Sequence, residues 1–106
     1  MKFMSELYVS EGLKKKKDKV IEKLIKDKFQ PNIHLITRAA NPKDQLDIIN
    51  SIMLLQKDYP KDSLFVVGLA KGYEDAINLA KQIITDANEM FGKPDVSKLI
   101  RAKSHD

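Results

Sequence analysis

Residues 64–69 form a continuous apolar run that ends at Ala70, Lys71 and Gly72, and a helical pattern begins at once with Tyr73, Glu74, Asp75 and Ala76. A run of this length without polar alternation suits a strand covered on both faces, as in parallel sheets flanked by helices. The segment reads as a buried strand, a tight loop and a helix, which makes the chain an α/β protein.

All eight glycines and prolines stand at apparent element boundaries, as neither residue suits the interior of a helix or strand. Between them the pattern predicts βαβαβα, a small two-layer or three-layer domain around a short, mainly parallel three-stranded sheet. The first strand is placed at residues 7–9 and the second at 33–36. A first helix over residues 13–28 carries Leu13, Val20, Ile21, Leu24 and Ile25 on one face. A second is expected to start with Asn41 as cap, Pro42 in the first position and Asp44 near the positive end of the dipole. It would run to about Lys57 with Leu46, Ile49, Ile52 and Met53 as its apolar stripe. The third runs from Tyr73 to a stop at Gly92, packing through Ala76, Ile77, Ala80, Ile83, Ile84 and Ala87.

Right-handed crossovers allow strand orders 2-1-3 or 1-2-3, and both leave the strand at 64–69 on an edge. Such an edge calls for a cover. The candidates are a second copy of the chain, another protein, or the C-terminal segment through Val96, Leu99 and Ile100.

With 106 residues the chain fits one domain, with a core over 6–92 and a C-terminal segment, 93–106, that is docked or partly disordered. It has no long uncharged apolar run and no signal-peptide pattern, which leads to the expectation of a cytoplasmic protein without a transmembrane segment. Zero cysteines remove disulfides and thiolate chemistry, and two histidines are too few for a His-based metal site. No cofactor or metal signature is present. The net charge of +4 rests on lysine, since only Arg38 and Arg101 of the 19 basic residues are arginines. Lysine supplies point charge without the planar fork that arginine offers to phosphates and bases.

In a parallel sheet, ligands gather beyond the carboxyl ends of the strands. This gathers Ser10 and Gly12, then Thr37, Arg38 and Asn41, then Lys71, Gly72 and Tyr73, with Lys17 aimed from the first helix, into a candidate site for a small anion or phosphate. Glu74 and Asp75 fill the first turn of the third helix and oppose a phosphate there. Gly68 and Gly72 match no phosphate-loop motif and read as turn geometry. On the first helix Lys15, Lys16, Lys19, Lys23 and Lys26 share one flank, a stripe suited to a nucleic-acid backbone or to plain solvation. His34 lies inside a strand and reads as a core histidine; His105 lies in a polar tail.

These residues point first to a non-catalytic binding or regulatory module with an anion site at its strand ends. The alternatives are a nucleic-acid-associated accessory protein using the lysine stripe, and a small enzyme handling an anionic substrate through Arg38 and Lys71.

Overall fold

The computed structural model describes residues 1–41 and 43–104. Strands β1 (Lys2–Val9), β2 (Ile33–Arg38), β3 (Leu46–Asn50) and β4 (Phe65–Lys71) form one sheet in the order β1-β4-β2-β3. Helix α1 (Lys17–Ile25) follows a 3-10 turn at Glu11–Lys16, α2 spans Tyr73–Phe91 and α3 spans Val96–Lys103. Only β1 and β4 are parallel; β4–β2 and β2–β3 are antiparallel. The mixed α/β class therefore stands, whereas the mainly parallel three-stranded sheet is corrected to four strands with one parallel pair. None of the helices is long and apolar enough to cross a membrane among the described residues.

The correction has two physical sources. First, the connection over residues 10–32 starts and finishes at the same end of the sheet: Val9 pairs with Leu69, and Ile33 pairs with Lys71. Strand β2 must then run opposite to β4. Second, the expected helix over 41–57 is instead a hairpin return. Asn41 Oδ1 accepts from Lys43 N and Asn41 O accepts from Asp44 N, both at 3.0 Å, closing a turn. Asn and Asp serve turns as readily as helix caps. Pro42, expected at the first helical position, lies outside the described residues. The chain enters β3 at Leu46 opposite Arg38, and leaves it through a 3-10 turn at Ser51–Leu55 that Asn50 caps by accepting from Ile52 N.

The apolar run becomes β4, an interior strand hydrogen-bonded to β1 and β2, so the edge it was expected to form does not exist. Both faces are covered. On one, Val67 and Ala70 meet Ala76, Ile83 and Ala87 of α2 and Val96, Leu99 and Ile100 of α3. On the other, Val66 and Leu69 meet Leu13, Val20, Leu24 and Leu54. The result is three layers. Ile25 and Ile84, expected on packing faces, are exposed; Leu79, outside the expected face, packs over Gly68.

A bulge shapes β4. Ile36 pairs with Gly68 and Thr37 with Val66, so Val67 is the extra residue, and residues 4–7 of β1 lie opposite it. A Cβ at Gly68 would sit 3.1 Å from Leu79 Cδ2 and 3.3 Å from the Tyr8 carbonyl oxygen. The methyl can move; the backbone oxygen cannot move cheaply. Gly68→Ala should therefore lower the stability measured by denaturant unfolding by about 1–3 kcal/mol, through the midpoint with an unchanged slope.

Strand β1 is tied to α2 by Tyr8, whose hydroxyl donates to Asp86 Oδ2 at 2.6 Å. Burial, then that hydrogen bond and the carboxylate charge, hold the Tyr8 phenol above its usual 10.0; burial and Asp47 push Tyr59 the same way. The folded state resists phenol ionisation more than the unfolded chain does. The associated stability is complete below pH 10 and is lost as pH rises beyond it toward the folded values. Unfolding free energy measured across this range should fall, and fall less steeply in Tyr8→Phe.

Candidate functional site

Because residues 10–32 return to the end of the sheet they left, they enclose a space there. The 3-10 turn and α1 make one wall, residues 29–33 the other, and Lys71 stands at the end of β4. The cleft holds about 420 Å³ and is lined by Lys16, Lys19, Lys23 and Lys71, with Leu13, Val20 and Ile33 as its apolar base.

Local contacts hold these walls. Ser10 N donates to Leu69 O at 2.9 Å while Ser10 Oγ accepts from Lys71 N at 3.1 Å, fixing the exit of β1 to the end of β4. The Lys71 stem crosses Gly12, where a Cβ would lie 3.5 Å from Lys71 Cδ. Gly72 adopts φ 84°, a conformation that L side chains rarely take, and its N–H donates to Asn32 O at 2.7 Å. Gln30 is buried and spans two elements: Nε2 donates to Val20 O at 3.2 Å, and its backbone carbonyl accepts from Ser51 Oγ at 2.9 Å. At the far end of α1, Lys61 Nζ donates to Leu24 O at 2.5 Å and pairs with Asp27. It adds a second donor to the Leu24 carbonyl, which also accepts from Asp27 N, and places a cation at the negative end of the dipole.

The electrostatics are one-sided. Among the described residues, no lining residue of the cleft is acidic. Among the described residues Lys16, Lys19, Lys23 and Lys71 have no salt bridge, whereas Lys14 and Lys26 are engaged by Glu11 and Glu22 at 2.7 and 2.8 Å. A second, shallower cleft of about 300 Å³ lies between β1 and α2; it carries Glu11 and Asp75 and, among the described residues, no cation, which disfavours an anion.

The candidate residues divide between the two ends of the sheet. Ser10, Gly12, Lys71, Gly72 and Tyr73 gather at the end that holds the cleft, and the stripe members Lys16, Lys19 and Lys23 line it. Of the remaining lysines, Lys15 is exposed outside the lining, Lys26 is paired with Glu22, and Lys17 is half-buried at the start of α1. Thr37, Arg38 and Asn41 are at the opposite end, because β2 runs away from Lys71; Arg38 stands five residues beyond the Ile33–Lys71 pair, about 16 Å along the strand. Arg38 rests over the Phe65 ring with its guanidinium carbon 5.1 Å from the centroid, and Thr37 is buried with its hydroxyl unpartnered.

His34 is buried on the α2 face, its ring 5.9 Å from that of Tyr73, and its Nδ1 has no partner. His105 lies outside the described residues. No group of three or more His, Cys, Asp or Glu side chains suited to a metal ion occurs among the described residues. Sequence reasoning missed Phe29 and Gln30, which complete the cleft wall. An aromatic directly after Lys28, in a loop flanked by the lysine stripe, was the available signal.

Compared with protein-family models, curated proteins and solved structures, the chain matches none.

The cleft depends on the anchoring of α1. Lys61→Met should fray the helix end, costing about 1–2 kcal/mol, with faster amide hydrogen exchange toward its C-terminus and little change in β4.

Proposed function

We propose that this protein is a non-catalytic binding module for a phosphate-bearing anion, held in the cleft between α1 and the end of β4. The observation that carries this reading is the convergence of Lys16, Lys19, Lys23 and Lys71 on a concave space where, among the described residues, none of them has a salt bridge and no lining residue is acidic. Like charges gathered without counterions repel one another, and a bound anion converts that repulsion into attraction. The volume of about 420 Å³ falls within the range of small-molecule sites.

The two electropositive features weighed separately in the sequence, the stripe on the first helix and the lysine after the buried strand, supply one site under this reading. A catalytic role has less support. Arg38 is directed to Phe65 at the other end of the sheet, which leaves lysines alone near the cleft. Multiple lysines suit retention of phosphate by charge; they supply no paired acid and base for its transfer.

Isothermal titration at low salt with inorganic phosphate, pyrophosphate and a sugar phosphate should give saturable binding that weakens as salt rises. Each of Lys16→Gln, Lys19→Gln, Lys23→Gln and Lys71→Gln should weaken it about fivefold, the equivalent of ~1 kcal/mol per charge. Lys57→Gln, on an exposed segment outside the cleft, should leave it unchanged. Absence of binding at low salt, or equal losses from Lys57→Gln, would reject the proposal.

A further inference from the structure

Resting on that reading, we propose that the cleft takes a nucleotide unit, with its phosphate among the lysines and its base against Phe29. Phe29 is 63% exposed although it lines the cleft. A phenyl ring left in water forgoes the stabilisation that burial would bring, and beside four cations it offers a stacking face to a flat ligand that carries an anion. A base with its phosphate has both properties. Aromatic platforms beside lysine-rich grooves bind nucleotides because every base offers a π face.

The ring stands on a fixed neighbour. Gln30 is buried and bonded to α1 and to Ser51, and Pro31 restricts the chain beyond it. Gln30 also adds an edge contact: Nε2 is committed to Val20 O, while Oε1, in the same wall, has no donor among the described residues and can accept from an exocyclic amino group. Lys23, on the facing wall, and Lys71, at the end of β4, are left for the phosphate.

The chain contains no tryptophan, so Phe29→Trp installs a single reporter at the platform. The full chain is titrated with adenosine 5′-monophosphate and with ribose 5-phosphate, which carries the same phosphate without the base. The nucleotide should bind about tenfold more tightly. Phe29→Ala should erase that advantage while ribose 5-phosphate binding persists, and Phe29→Trp should keep it, with fluorescence quenched by the nucleotide alone. Circular dichroism of each variant shows that the fold is retained, as the exposed position leads one to expect.

If both ligands bind wild type equally, or Phe29→Ala keeps the advantage, the nucleotide inference is overturned while the phosphate reading stands. If neither ligand binds, both fall. A short oligoadenylate separates the sources. Affinity rising with length, with a steeper salt dependence, identifies a nucleotide within a strand; affinity unchanged with length identifies a free nucleotide. Either result supports a bound nucleotide unit.

Discussion

The burial of β4 is the constraint on which the rest of the structure depends. Val66, Val67, Leu69 and Ala70 are fully buried, and they belong by turns to the two clusters on opposite faces of the sheet. A strand of this kind has no solvent face to offer, so it needs partners on both edges and layers above and below. Strands β1 and β2 supply the neighbours, α2 and α3 one layer, and α1 with the 3-10 turns at Glu11–Lys16 and Ser51–Leu55 the other. The bulge at Val67 adjusts this arrangement locally. It directs Val67 and Gly68 toward the same face, and the missing Cβ of Gly68 admits Leu79 and Tyr8 to close range.

The same strand determines where a site can form. Both β1 and β2 meet β4 near its carboxyl end, through Val9–Leu69 and Ile33–Lys71. The connection between them must leave and return at that end: α1 leads out over the sheet face, and residues 26–32 bring the chain back. A loop that returns on itself leaves a concavity between its outgoing and incoming arms. In a parallel crossover the incoming arm would have been delivered to the other end of the sheet, and no such pairing of walls would arise.

What could be read from the sequence follows from how local each signal was. The strand, turn and helix around residues 64–92 were legible because an uninterrupted apolar run, Gly72, an alanine-rich face and Gly92 all agree within one window. Val96, Leu99 and Ile100 were identifiable as docking residues, but for an edge of that strand; as part of α3 they dock on its face instead. The hairpin was not legible. Leu46, Ile48, Ile49 and Ile52 satisfy helical spacing about as well as strand alternation, and Asn41 and Asp44 serve either a cap or a turn. Only long-range pairing with β2 decides between them. The direction of β2 was equally hidden, and with it the separation of Arg38 from Lys71. Gly12, the stripe lysines and Lys71 were each identifiable from their types and spacing; their common cleft depends on a return path that no local pattern encodes.

That return path also changes what the lysines amount to. On an isolated helix face, lysines are separated by solvent, and screening leaves each to act nearly alone. Here Lys71 comes from the sheet, its backbone fixed by Ser10 and its stem laid over Gly12. It stands across from Lys16, Lys19 and Lys23 with low-dielectric walls from Leu13, Val20 and Ile33 between them. A cleft with charge of one sign and apolar walls focuses its field, so an anion inside meets several cations at once. Three carboxylates along this connection are drawn into ion pairs: Glu11 with Lys14, Glu22 with Lys26 and Asp27 with Lys61. Lys61 does so while donating to the last turn of α1, so one contact both secures the wall and neutralises a carboxylate at its far end. Stability and electrostatics are therefore coupled through α1, and the charge pattern favours an anion because four lysines meet in a lining that carries no carboxylate among the described residues.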